Sequence, residues 1–288
     1  MHQEPILAVI GGSGLYNFKD LEQITTIEVD TPFGKPSSPI TIGKIAGKTV
    51  AFLARHGVGH VLPPNKVPYR ANIYALKSLG VKRIVSVSAC GSLRETYAPG
   101  TIIIPQQIFD FTHDRARSFF GEGLVVHLSI AEPFCKSLSD ILEQGVRETG
   151  AKYHRGGIYI TIEGPRFSTK GESQLYRQWG MDIIGMTASP EVFLAKEAEM
   201  CYTTMAHVTD YDVWHTAEAP VTVDLVVQTL MKNIKMAQNA IVKMVESIDP
   251  SYSCACENAL KDALLTDRHY IDPEKREEVK LLIQKYLK

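Results

Sequence analysis

The run Thr209-Asp210-Tyr211-Asp212 places two carboxylates two residues apart at the end of an apolar, strand-like stretch. In extended backbone, residues i and i+2 point to the same side, so Asp210 and Asp212 face one space. Two carboxylates there repel unless one holds a proton or both have donors. The pair therefore suits a metal ion or a nitrogen-rich ligand, set against the ordinary alternative of a solvated acidic turn. No further Asp or Asn follows at the spacing of a Ca²⁺ or Mg²⁺ loop, which disfavours the metal.

Other runs offer donors to an anion. Gly11-Gly12-Ser13-Gly14 directly follows the apolar residues 6–10. Glycine permits positive φ and lets backbone N–H groups crowd into a nest, to which the Ser13 hydroxyl adds a donor. The familiar nucleotide cradles fail on spacing. A dinucleotide fingerprint needs glycine where Asn17 stands, a nucleophile elbow needs it where Leu15 stands, and the stretch from Gly43 to Thr49 is too short for a P-loop. A phosphate nest and a tight turn without ligand both remain open on these residues alone. Ala54-Arg55-His56-Gly57 sets a guanidinium beside an imidazole, a pairing suited to a dianionic oxyanion and also common as a structural pair. Ser88-Ala89-Cys90-Gly91-Ser92 closes another strand with small residues and hydroxyls. Cys90 has no general base near it in sequence, so the residues do not point to a catalytic thiol.

These pieces can meet only at one edge of a common sheet. Runs rich in Val, Ile or Thr at 6–10, 50–53, 83–87, 101–104, 157–161, 182–185 and 202–208 read as strands. Helical periodicity occupies 69–79, 134–149, 191–199 and 221–248. The alternation predicts an α/β fold with helices on both faces of one sheet. Ligands in open α/β sheets gather beyond the carboxyl ends of strands, where 10–14, 54–57, 88–92 and 185–188 converge.

No repeat, low-complexity segment or polar linker divides the first 248 residues, so 1–250 reads as one domain. Residues 251–288 read as a C-terminal extension, a loop and then a charged helix to about residue 287 with Asp272 as N-cap and Pro273 in the first turn. The extension packs on the domain or on a neighbour.

The 288 residues are 44% hydrophobic and 22% charged, with a formal net charge of -1. This balance gives no general attraction to nucleic acid or an anionic membrane, so any anion site is local. The apolar run 6–10 is too short for a signal peptide or a membrane span, and a cytoplasmic location is expected. Cys90, Cys135, Cys201, Cys254 and Cys256 lack C-x-x-C spacing, which favours neither a zinc site nor a secreted disulfide framework. They read as reduced, partly buried thiols. A disulfide within Cys254-Ala255-Cys256 is strained and easily reduced.

Taken in order, several segments resemble the 5'-methylthioadenosine phosphorylases of the purine nucleoside phosphorylase superfamily. They are Gly11-Gly12-Ser13-Gly14-Leu15, Thr31-Pro32-Phe33-Gly34-Lys35-Pro36-Ser37, Ala54-Arg55-His56-Gly57, Ala89-Cys90-Gly91-Ser92-Leu93, Ala131-Glu132-Pro133-Phe134-Cys135, Thr161-Ile162-Glu163-Gly164-Pro165-Arg166-Phe167-Ser168, Gly185-Met186-Thr187 and Thr209-Asp210-Tyr211-Asp212. The resemblance implies a single phosphorylase-type domain, a central mixed β-sheet flanked by helices on both faces. It also implies a phosphorolysis of purine and methionine salvage, in which orthophosphate attacks C1' of methylthioadenosine and releases adenine and 5-methylthioribose 1-phosphate. Position by position, it implies phosphate ligands at Ser13, Arg55, His56, Ser88, Thr187 and the Ala89 amide, a sugar on Met186, and a purine near Ala89 and Phe167. Neither a metal nor a resident cofactor is implied, because phosphate is a substrate. Ser13 and Ser88 stand where many relatives carry threonine, and serine keeps the hydroxyl donor.

Cleaving an N-glycosidic bond builds positive charge on the ribosyl ring and negative charge on the leaving purine. Bound phosphate faces the cation, while an acid near N7 neutralises the departing base. Asp210 is the candidate acid, its proton affinity raised by burial and by Asp212. Asp212 is the candidate acceptor for the 6-amino group. A carboxylate accepts from a 6-aminopurine, whereas a 6-oxopurine wants an amide donor, so adenine is preferred to hypoxanthine.

At the 5' end the resemblance points to an apolar slot formed by Val223 and Val226 on the long helix, with Ser168 tuning selectivity and His127 arriving from a neighbouring subunit. That histidine implies an obligate homo-oligomer, a trimer or a dimer of trimers. Relatives in some thermophiles bridge cysteines of this kind. The state of Cys135–Cys201 and Cys254–Cys256, and whether residues 260–265 close over the site, stay open. The competing readings are a broader purine nucleoside or methylthioinosine phosphorylase, a nucleosidase using water, and a non-catalytic nucleoside sensor. Arg55-His56 argues against water, and Asp210 against the sensor.

Overall fold

The apolar run ahead of the glycine loop forms β1, Leu7–Gly11, whose five residues are all buried. β2 (Glu22–Ile27), β3 (Ile40–Ile45) and β4 (Lys48–Ala54) follow, β3 and β4 as an antiparallel hairpin turning at Ala46-Gly47, both at positive φ. This computed structural model describes residues 3–12, 18, 21–215 and 222–287, apart from the side chains of 225 and 230–233. Next come α1 (Tyr69–Ser78), β5 (Arg83–Ser92), β6 (Ile102–Ile104), β7 (Gln107–Phe111) and α2 (Lys136–Glu148). They are followed by β8 (Tyr153–Arg155), β9 (Ile158–Ile162), α3 (Lys170–Gln178), β10 (Ile183–Gly185), α4 (Ala188–Glu197), β11 (Cys201–Asp210) and α5 (Val223–Ser247).

The long β5 organises the sheet. Its first half pairs in parallel with β1, its end at Gly91 and Ser92 pairs antiparallel with β10, and β11 runs parallel along it from Cys201↔Arg83 to Asp210↔Gly91. The result is one mixed sheet in the order β2-β3-β4-β1-β5-β10-β9-β7, with β11, β6 and β8 continuing from β5. β11 is buried at every position because β5 and β6 pair with it on both sides, so it reads as a continuous run and not as an alternation.

Alternate residues of β1 and β4 serve opposite faces. Ala8, Ile10, Ala51 and Leu53 pack with Ile73 and Leu76 of α1 and with Val192 and Leu194 of α4, whereas Leu7, Val9, Val50 and Phe52 pack with Leu142 and Val146 of α2 and Ala240 and Met244 of α5. Helices therefore cover both faces, each buried Leu, Ile or Val contributing about 1.5–3 kcal/mol. Gly145 allows α2 to close on α5: a Cβ there would meet the Ala240 carbonyl oxygen at 2.7 Å.

Some elements escape the sequence pattern. β2 is an edge strand exposed at five of six positions, so it carries no alternation to read. α3 has little apolar content, yet Thr169 and Glu172 form the capping box that starts it. The C-terminal helix differs from expectation. Asp272 caps α6 (Pro273–Glu278), but buried, β-branched Val279 leaves helical geometry at φ -104, and a short α7 (Lys280–Ile283) and a 3-10 turn, Gln284–Tyr286, follow. Leu260, Ile271, Val279, Leu282 and Ile283 pack into the same core as α1 and α4. No helix among the described residues is long and apolar enough to cross a membrane.

Candidate active site

Beyond the carboxyl ends of β1, β4, β5, β10 and β11 lies a cavity of about 520 Å³. Its lining includes Gly12, Arg55, His56, Ser88, Ala89, Phe167, Ser168, Met186, Thr187, Asp210, Asp212 and Val226. Five strand ends thus bring together residues dispersed over more than half the chain.

Arg55 is buried at 1% exposure. Its Nε and Nη2 each donate to Glu191 at 2.8 Å, and Nη2 also donates to Ser86 Oγ at 2.7 Å. Burial opposes the charge on this guanidinium, but the adjacent Glu191 carboxylate outweighs it and holds the proton more firmly than usual. The other edge of the fork, Nη1, bonds only weakly to the Val87 carbonyl, at 3.3 Å.

His56 donates from Nδ1 to the Leu62 carbonyl at 2.9 Å, which leaves Nε2 as the acceptor of the neutral ring. Its ring stacks on His60 at 4.2 Å. Burial first, and the Arg55 charge second, hold His56 down to about 4, so it is neutral at physiological pH.

At the end of β11 the register shifts between Val208 and Asp210, and Asp210 lines the cavity. Its Oδ2 accepts from Thr209 Oγ1 at 2.6 Å and its Oδ1 from the Asp212 amide at 2.8 Å. Asp212 sits at φ +51, in the left-handed region, and burial raises its carboxyl above the usual range, with the nearby Ser173 hydroxyl opposing. Among the residues lining the cavity, Asp212 Oδ2, Ser88 Oγ, Ser168 Oγ and both ring nitrogens of His207 are buried with no hydrogen-bond partner. An orphaned buried polar atom costs about 1–3 kcal/mol, so these five along one cavity mark where a polar ligand can restore bonds.

Several contributors escaped the sequence reading. Glu191 lies far from Arg55 along the chain, and nothing local signals the pairing. Buried Arg115 bonds the carbonyls of Met186 at 2.8 Å, Ser189 at 2.7 Å and Glu163 at 2.6 Å, tying together the two loops that flank the cavity. Cys90 lines the cavity, but burial and the Asp210 charge push its thiol well up, away from a nucleophilic thiolate.

One expected position falls elsewhere. Val223 is 65% exposed and does not line the cavity; Val227, Ile234 and Ala237 do, because α5 turns that stripe inward. His127 is exposed on a segment whose amide donates to the Ala263 carbonyl at 2.8 Å, outside this cavity. Residues 264 and 265 run beside Val125 and Val126 and do not cover the cavity of their own chain. Ser13 lies outside the described residues. A cluster of metal-ligating side chains among the described residues occurs at Cys135, Cys201, Cys254 and Cys256.

Residues 6–246 of this mixed-sheet chain match the Phosphorylase superfamily, and the chain belongs to that family. It is 48% identical over 285 residues to the S-methyl-5'-thioadenosine phosphorylase of Geobacter sulfurreducens, covering 99% of this chain and 100% of the relative. A methylthioadenosine phosphorylase from an antarctic soil metagenomic library superposes with TM-score 0.92 at 45% identity, covering 97% of this chain and 99% of the other. A point variant of the Schistosoma mansoni adenosine/methylthioadenosine phosphorylase, solved in complex with methylthioadenosine, superposes with TM-score 0.84 at 35% identity, covering 89% and 96%.

Proposed function

We propose that the protein cleaves S-methyl-5'-thioadenosine with orthophosphate, releasing adenine and 5-methylthioribose 1-phosphate. The observation that carries this reading is the cavity of about 520 Å³ beyond the strand ends, which Arg55, His56, Asp210 and Asp212 all line. The C1'–N9 bond breaks as a phosphate oxygen bonds to C1', and the reaction balances with nucleoside and phosphate alone. Arg55, the hydroxyls of Ser13, Ser88 and Thr187, and the Ala89 amide hold the phosphate, and His56 Nε2 accepts from its P–OH group. The anion so held faces the oxocarbenium-like ribosyl centre. Asp210 delivers a proton toward N7 of the leaving purine, and Asp212 accepts from the 6-amino group. Met186 and Phe167 support sugar and base, while Val226 and Ser168 border the 5'-methylthio group with the Val223 end of α5 beside them.

The working form is a homo-oligomer, a trimer or a dimer of trimers, in the cytoplasm. His127 reaches the cavity of a neighbour, and the 264–265 segment beside it travels with it. An active monomer by light scattering counts against this arrangement. The reaction itself is tested by adenine release from methylthioadenosine, methylthioinosine and adenosine, with and without phosphate. Turnover is expected only with phosphate and fastest on methylthioadenosine; release in phosphate-free buffer overturns the reading.

A further inference from the structure

Cys135, Cys201, Cys254 and Cys256 come from three separate stretches of chain, yet their four sulfur atoms all lie within 4.8 Å of one another. All four are thiols, three of them buried, and none lines the cavity described above. Cys135 is the N-cap of α2, Cys201 opens β11 opposite Arg83, and Cys254 and Cys256 flank Ala255 at the start of the C-terminal extension. The core of the protein supplies two sulfurs and the extension supplies two.

We propose that these cysteines form a closed tetrathiolate site for one Zn²⁺ per chain, which fastens the C-terminal extension to the body of the protein. A Zn–S bond of about 2.3 Å in a tetrahedron sets the sulfurs about 3.8 Å apart. Cys135 Sγ and Cys254 Sγ already stand at 3.5 Å, so a metal is accommodated by small side-chain movements. All four sulfurs share one centre, as the ligands of a single ion must. Cys254 and Cys256 are also too close in sequence to bridge each other without strain, while two thiolates at i and i+2 chelate one ion readily. Four thiolates and no open position make the site structural, and soft sulfur ligands select zinc over hard cations.

The surroundings suit the charge. Binding releases four protons, since four thiols and Zn²⁺ give a tetrathiolate of net charge 2−. Lys196 Nζ lies 3.9 Å from Cys256 Sγ. Ser137 Oγ lies 3.3 Å from Cys135 Sγ and 3.7 Å from Cys254 Sγ, placed to donate to a ligand sulfur. The N-terminal end of the 13-residue helix α2 abuts Cys135 and favours negative charge there. The absence of C-x-x-C spacing hides this site in the sequence, because two of its ligands return from the far end of the chain.

The test loads reduced full-length protein with Zn²⁺ under anaerobic conditions, removes free metal, and measures bound zinc by plasma mass spectrometry. One zinc per chain is expected, with the visible spectrum of a tetrahedral tetrathiolate on Co²⁺ substitution. The Cys254→Ser/Cys256→Ser variant should lose the bound metal, and chelation should lower the melting temperature of the parent. Alkylation in denaturant and chelator, without reductant, should then find all five cysteines free. No metal on the loaded parent protein overturns the proposal, as does alkylation of Cys90 alone with the other four cysteines joined as two disulfides.

Discussion

Arg55 and Glu191 are joined by two 2.8 Å hydrogen bonds between fully buried side chains, and Tyr202 Oη donates to the same carboxylate at 2.8 Å. Glu191 sits on α4, the helix that begins just after Thr187. The Arg55 guanidinium is thus locked to the helix that follows Thr187, and the fold itself sets its orientation.

Removing one partner of a buried ion pair costs about 3–5 kcal/mol, because the other charge is left uncompensated. Glu191→Ala should therefore lower the melting temperature by on the order of 10 °C. Glu191→Gln, which keeps the shape, should raise KM for phosphate more than KM for nucleoside. Thermal melts and phosphate saturation curves check both, and an unchanged melt for the alanine variant contradicts the role.

Asp212 presents a buried, unpartnered oxygen at the cavity. Asp212→Asn replaces one acceptor with a donor, and should move the ratio of kcat/KM for 6-amino over 6-oxopurine nucleosides by about tenfold or more, the equivalent of roughly 1.4 kcal/mol. Paired assays with methylthioadenosine and methylthioinosine measure it. An unmoved ratio places base recognition elsewhere.

Burial holds His207 down to about 4, as burial and Arg55 do His56. In the unfolded chain each titrates near 6.5, so the unfolded state binds the extra protons first and stability falls as pH drops from about 6.5 toward 4. Glu197 acts in the opposite sense. Burial pushes its carboxyl up to about 7, so stability declines as pH rises from 4.5 to about 7. His207→Asn should remove about one proton from the pH dependence, up to roughly 1.4 kcal/mol per pH unit in the histidine window. Urea unfolding across that range gives the slope, and identical slopes for parent and variant refute the assignment.

Cys90 lies in the cavity with its thiol pushed up by burial and by Asp210. Cys90→Ser should retain turnover within a few-fold, about 1 kcal/mol in the barrier. Near-complete loss in a variant that melts normally would make the thiol a participant.

Much of this protein is legible before folding. The apolar runs that become β1, β4, β5 and β11 announce themselves because strand burial imposes β-branched and apolar residues locally, and the turns that end them are marked by glycine and small hydroxyl residues. The residue types for anion binding and for meeting a nitrogen base stand in those turns, in order. Helix periodicity likewise predicts α5, but it reports only that one stripe is apolar. That Val226 and Val227 meet the cavity while Val223 faces outward depends on how α5 is rotated over the sheet. The pairing of Arg55 with Glu191 across 136 residues and the gathering of four cysteines from three stretches leave no local trace. Short-range pattern records what each segment must bury or expose, whereas partners distant in sequence are chosen by the packing of whole elements.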